Sequence, residues 1–239
     1  MNRVKIFRIG LCIGIASAIC QTASGTLITP ESVTSSTAAT DLWSASNLIN
    51  GETTGLSAPV NESSIHFEAG LDNSWVTAQP SNKNDTDYYA YAFGQPPVLI
   101  FGLDQLYNLD GIVVWNYAAS GDPATHNGAK CITLEFSRDG LDGPFGNAVL
   151  LTVARGGANE SCQAPRFGGV FADAVRLTIT DNYYDGTGGG DRVGLSEIKF
   201  FAPEPSSMLL IGTGLLGFVC FVFLARGRKL IVRVRGDVS

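Results

Sequence analysis

An uncharged run over residues 206–225, "SSMLLIGTGLLGFVCFVFLA", sets the first limit on how this chain can fold. At about 1.5 Å per residue, a helix of this length spans roughly the 30 Å hydrocarbon core of a bilayer. Arg226, Arg228, Lys229, Arg233 and Arg235 follow at once. By the positive-inside rule that end stays in the cytoplasm, so everything before the run lies outside. The run is too uniformly apolar, and its flank too basic, for a core helix. Its "GTGLLG" matches a dinucleotide pattern, but no strand precedes it. Glycines in such a segment let helices approach closely instead.

The other end carries Arg3, Lys5 and Arg8, an apolar stretch over 9–19, and small residues Ala23, Ser24 and Gly25 before Thr26. This reads as a secretory signal peptide over 1–25. Ile19 before Cys20 argues against a lipoprotein. The fold is thereby confined to residues 26–202, enough for one domain with a real core. The two ends hold 8 of the 16 basic residues and 2 of the 22 acidic ones. The remainder carries a formal charge of about −12, which excludes nucleic acid as a partner, since phosphate binding needs a basic surface.

Within this domain, short β-branched and aromatic runs alternate with Gly, Asn, Asp and Pro clusters. "PVLIFGL", "GIVVWNY", "CITLEFS", "AVLLTVA", "AVRLTIT" and "VGLSEIKFF" read as strands, with "SIHFEA" near Ile65 a weaker one. Ile132, Leu134 and Phe136 alternate with polar neighbours, as do Val175, Leu177 and Ile179, the pattern of half-buried strands. No stretch keeps helical periodicity for three turns. The expected fold is an all-β jelly-roll sandwich. Long connections over 47–64, 69–97, 118–130, 155–169 and 181–192 would gather at the sandwich ends, where binding sites usually lie.

Only Cys131 and Cys162 fall in the domain. In an exported protein two cysteines most often pair, closing a loop of about 30 residues worth roughly 3 kcal/mol. The alternative is two buried thiols. No CxxC pair supports a zinc ribbon or redox site.

Enzyme signatures are missing: no HExxH, no GxSxG, no GxxxxGK[ST], and only two histidines, His66 and His126. A glycosidase needs two carboxyls facing across a cleft. Asp181, Asp185 and Asp191 crowd one connection, but as solvated loop acids they need no catalytic role. The chain reads as non-enzymatic.

Oxygen donors suggest calcium instead. "NLINGETTG" offers Asn47, Asn50, Glu52 and Thr54, and Glu197 interrupts an apolar strand where a carboxylate needs a partner. That partner is a calcium ion, or a hydrogen bond or Arg pair. Aromatics offer a second handle, since sugar rings stack on exposed aromatic faces. Tyr88, Tyr89, Tyr183 and Tyr184, with His126 and Asp185, form the candidate ligand set. Trp43 and Trp75 lie near loops, and Trp115 reads as core.

The residues Pro203, Glu204 and Pro205, the apolar run and the basic end together resemble the PEP-CTERM sorting signal of Gram-negative bacteria. The resemblance implies recognition by an exosortase, removal of the tail during export, and an envelope or extracellular destination alongside exopolysaccharide. As with a GPI signal, the span then belongs to the precursor only. "NLINGE", "FGLDQLYNLDGIVVWNY", "ITLEFSRDG", "VRLTITDNYY" and "GLSEIKFF", in this order, resemble a discoidin (coagulation-factor type C) domain, a galactose-binding-like jelly roll. That resemblance implies a structural calcium near Asn50, Gly51 and Glu197, and ligands at loops on one end of the sandwich. The expected function is a secreted protein that binds or organises extracellular polysaccharide, with a structural envelope protein without a specific ligand, or after it a glycan-active hydrolase, as the alternatives.

Overall fold

The computed structural model describes residues 25–37, 41–51, 73–79, 86–91, 95–118, 124–157 and 162–203. The expected signal peptide before residue 25, the weak strand near Ile65, Glu52, Glu204, Pro205 and the expected span lie outside them. Among the described residues no helix is long and apolar enough to cross a membrane.

The strands are β1 (Gly25–Ile28), β2 (Ser32–Ser35), β3 (Trp75–Val76), β4 (Val98–Asn116), β5 (Ala129–Ser137), β6 (Gly146–Thr152), β7 (Arg166–Asn182) and β8 (Gly194–Pro203). Their ladders are antiparallel and run β1-β8-β4-β7-β5-β6, with β2 on β4 and β3 on β8. A single helical turn, α1 (Tyr88–Tyr91), interrupts the β architecture.

Two segments read from the sequence as separate strands, "PVLIFGL" and "GIVVWNY", are parts of one 19-residue strand, β4. Between them Asp104, Gln105 and Leu106 are exposed, and the pairing with β7 slips between Gly102 and Tyr107. Polar residues at this bend read as a loop, yet their backbone stays extended. Such a slip bends a strand and increases its twist. Before the bend β4 pairs with β2 and the later half of β7, and after it with the earlier half of β7 on one side and β8 on the other. The sheet thus doubles over into two layers. Phe101 from the first half of β4 meets Phe200 of β8 edge to face, with ring centroids 5.8 Å apart.

The alternation read from the sequence sets the layer between them. Ile132, Leu134 and Phe136 of β5 and Val175, Leu177 and Ile179 of β7 point inward with Leu99 and Phe101. They pack on Ile112 and Val114 of β4 and on Leu195, Ile198 and Phe200 of β8. Val113, Trp115 and Phe201 face the other way, yet are fully buried. The stretch 162–165 covers them, hydrogen-bonded along β4 through Val114 and Gln163 in both directions at 2.8 and 3.0 Å. Arg166 lies 3.6 Å over the Phe201 ring and is held by Asp110 at 2.7 Å. Trp115 is core in burial, though it belongs to this outer cluster.

One side chain closes the sandwich at the end of β4. The Asn116 amide donates to the carbonyls of Ala129 (2.7 Å) and Ala154 (2.8 Å). Its oxygen accepts from the N–H groups of Ala129 and Tyr117, both at 2.9 Å. It therefore acts as a short piece of strand between β4, the start of β5 and the chain leaving β6. Gly128 makes room for it, since a Cβ there would lie 3.0 Å from the Asn116 oxygen.

The expected Cys131–Cys162 bridge is not made, and both residues are thiols. Cys131 lies on β5, opposite Thr152 of β6 and Asp181 of β7. Cys162 packs on Val113, Trp115 and Phe201, outside the β4–β8 layer. Proximity in sequence does not bring them onto a common rung. Alkylation under denaturing, non-reducing conditions should modify both, and dithiothreitol should leave the urea midpoint unchanged.

Asn116→Leu leaves several buried backbone groups without partners and should cost about 3 kcal/mol, read as a lower urea midpoint at unchanged slope. A loss within 0.5 kcal/mol would show that the amide does not close the sandwich.

Candidate functional site

The connection between β7 and β8, residues 183–193, is the most elaborately fastened loop of the described chain. Asn182 ends β7 buried, and its amide donates to the carbonyls of Gly190 (2.7 Å) and Arg192 (3.1 Å). Its oxygen accepts from the Tyr184 N–H at 3.2 Å. Four glycines, Gly186, Gly188, Gly189 and Gly190, take positive φ. At Gly190 (φ +71°) a Cβ would also lie 2.5 Å from that of Tyr184, so close approach as well as conformation requires glycine.

The 3-10 turn over Ala124–Asn127 braces this loop from the side. His126, only 2% exposed, brings Nδ1 to 2.7 Å from the Gly188 carbonyl, and its own carbonyl accepts from the Tyr183 N–H. Asn127 accepts from the Arg192 N–H at 3.2 Å. The residues after β3 brace the other side: Thr77 Oγ1 accepts from Val193, and Gln79 donates to Asp191 at 2.7 Å while accepting from Arg192 at 3.1 Å.

The candidate ligand residues therefore divide. Tyr88 is buried in the core, where its ring meets Tyr89 edge to face at 5.2 Å. The Tyr89 hydroxyl donates to the Ile179 carbonyl at 2.9 Å. Tyr88 sits inside the fold and Tyr89 half-buried against it, because α1 turns them onto β7. His126 fastens the loop. Tyr183 is half-buried, with its hydroxyl on the Val153 carbonyl. Tyr184 and Asp185 remain accessible, half-buried and exposed respectively. Asp185 accepts from the backbone and hydroxyl of Thr187 and lies 3.6 Å from His126 Nδ1. The bonds from Thr187, and secondarily His126, hold its carboxyl below the usual range.

Gln79, Asp191 and Arg192 complete this face and were not singled out as a set from the sequence. The 112 residues separating Gln79 from Asp191 hide their connection. The "GGGDR" cluster was the available signal. Each loop acid has a partner: Asp181 binds Lys130 at 2.8 Å, Asp191 binds Gln79, and Asp185 binds Thr187.

The expected calcium donors only partly meet. Asn47 turns its amide nitrogen to the carbonyls of Leu42 and Ser74, at 3.0 and 2.9 Å. Ser74 in turn meets Ser196 at 3.0 Å, beside Glu197 in the chain. Asn50 is exposed on the following turn. Glu197 is fully buried, and its nearest charged group is Lys199, with Nζ 3.0 Å from Oε1. The contact is an ion pair rather than an aligned hydrogen bond, and neither carboxylate oxygen has a hydrogen-bond partner. Burial pushes this carboxyl up, and Lys199 pulls it partly back. Among the described residues no group of three acidic, His or Cys side chains could hold a metal.

The poles of the sandwich are distinct. β8 begins at the candidate loop and ends ten residues later at Pro203, about 30 Å away. Gly25 pairs with Pro203 on the last rung, so these two residues lie at the pole opposite the loop. At that far pole a recess of about 280 Å³ is lined by Phe136, Arg138, Asp139, Phe145 and Phe171.

Burial raises the hydroxyls of Tyr88 and Tyr89 above their ordinary value of 10.0, strongly for Tyr89. A raised phenol favours the protonated folded state. Its stabilisation is complete below pH about 10 and is lost as the pH climbs above it. Tyrosinate absorbance of the folded protein should therefore fall short of the seven tyrosines until alkaline unfolding. Full ionisation without unfolding would place these rings at the surface.

Residues 202–229 match the PEP-CTERM protein-sorting motif. The motif implies an exported protein, anchored in the membrane before an exosortase processes it. No curated protein matches the chain. Among solved structures, similarity extends to the CBM32-3 module of a family 31 glycoside hydrolase from Clostridium perfringens, at 15% identity and TM-score 0.48, covering 73% of this chain and 91% of that one. The family 32 module of C. perfringens NanJ, solved in complex with galactose, gives 13% and 0.41, covering 74% and 99%. A fucose-binding module from Streptococcus pneumoniae gives 10% and 0.45, covering 76% and 99%.

Proposed function

We propose that this chain is an exported, non-enzymatic protein that binds extracellular polysaccharide through the loop between β7 and β8. The observation that carries this reading is the fastening of that loop. Asn182, His126, Asn127 and Thr77 hold its backbone, while Tyr184, Asp185, Asp191, Arg192 and Gln79 stay near the surface. A prearranged set loses little entropy on binding. A tyrosine ring beside carboxylate, guanidinium and amide groups suits a sugar, which presents an apolar ring face and a fringe of hydroxyls. The acidic balance of the domain favours a neutral polysaccharide over a polyanion.

The sorting motif supports the location. The tail leaves at Pro203, so a precursor still anchored there would present the loop pole about 30 Å further out. Processing by exosortase would release or relink the domain without altering the site.

Affinity electrophoresis of the processed protein through neutral polysaccharides, including that of the producing cell, tests the reading. Retardation is expected, and Tyr184→Ala should reduce it at least tenfold with little change in melting temperature. Unchanged retardation of Tyr184→Ala would move the site off this loop. No retardation by any polysaccharide would leave a structural envelope protein without a ligand.

A further inference from the structure

Glu197 carries a formal charge into the interior at the position where the sequence pattern expects calcium. What neutralises it is visible in the strand. β8 and β4 slip by one residue beside Ser196, with Leu195 opposite Asn116 and Glu197 opposite Trp115. From there the two-residue alternation places Glu197, Lys199 and Phe201 on the outer face, opposite Trp115, Val113 and Gly111. Lys199 is 6% exposed and is itself fixed, since its ammonium donates to Thr29 Oγ1 at 2.9 Å while lying 3.0 Å from Glu197 Oε1.

A buried carboxylate needs a counter-charge, and one cation at a given oxygen excludes another. A calcium ion on Glu197 would sit about 2.4 Å from its oxygens, next to a confined ammonium of like charge. The neighbouring oxygens are also engaged: Asn47 donates to the carbonyls of Leu42 and Ser74, and Ser74 and Ser196 bind each other.

We propose that Lys199 is a built-in cation: its ammonium neutralises Glu197 where a divalent metal would otherwise be needed, so that the fold is metal-independent. The position two residues along the same strand face lets one side chain do what the loop donors and an ion would otherwise do together.

The test uses the full chain in detergent, as wild type, Lys199→Met, and the double variant Lys199→Met with Glu197→Gln. Melting is followed in chelator and in excess calcium, and terbium luminescence is excited through tryptophan, because Trp115 is the cross-strand partner of Glu197. The wild type should melt at the same temperature in both conditions and give no sensitised terbium signal. Lys199→Met, which leaves the buried carboxylate without its counter-charge, should melt several degrees lower in chelator and in calcium alike. The double variant, which removes both charges, should recover part of that loss and respond to neither ion. A calcium-stabilised wild type would overturn the proposal without needing any variant to fold. So would a Lys199→Met protein that melts with the wild type, or a double variant that melts no higher than Lys199→Met.

Discussion

The fold depends on a side chain that behaves as backbone. A sheet that doubles over into two layers must be closed where the strands of one layer end and those of the other begin. Backbone groups at such a mouth have no ladder to join, and leaving them buried and unpaired is costly. Asn116 answers with an amide, which carries the same donor and acceptor as a peptide group. It bonds Ala129 in both directions, as a neighbouring strand would, and takes Ala154 besides. The start of β5 and the chain leaving β6 are located by this contact. So is the 3-10 turn that precedes β5 and carries His126.

Asn182 repeats the device at the end of β7, one strand away. There the amide organises a loop instead of joining layers. The two asparagines explain how a connection with four left-handed glycines holds one shape. Its own residues contribute freedom, and its fixed points come from elsewhere in the chain. That arrangement gives the domain a rigid loop pole and leaves Gly25 and Pro203 paired at the other. Pro203, inside the sorting motif, then lies at the pole opposite the proposed binding loop.

Much of the sandwich was legible because strand periodicity is local. Ile132, Leu134 and Phe136, or Val175, Leu177 and Ile179, declare their inward face within a few residues. The continuity of β4 was not legible, because "DQLYNLD" has the composition of a loop and becomes strand only through pairing with β7. Tyr88 and Tyr89 read as surface aromatics for the same reason: no local pattern says that a single turn will lay them against Ile179. Cys131 and Cys162 were joined by a rule about exported proteins, while their separation comes from different rungs and different layers. For Glu197 the need for a partner was readable from its apolar neighbours, and Lys199 stood two residues away on the same face.

By itself the sequence determined that the domain is built from β-structure and that its tail carries a sorting signal. These follow from charge, apolar run length and alternation, which act between near neighbours. Only the tertiary structure decided that Asn116 closes the mouth, that His126 supports a loop rather than projecting from it, that Gln79 meets Asp191, and that the counter-charge of Glu197 is a lysine. Each of these joins groups whose meeting depends on how the layers fold over one another, and hydrogen-bond and ion-pair partners are chosen by distance in space.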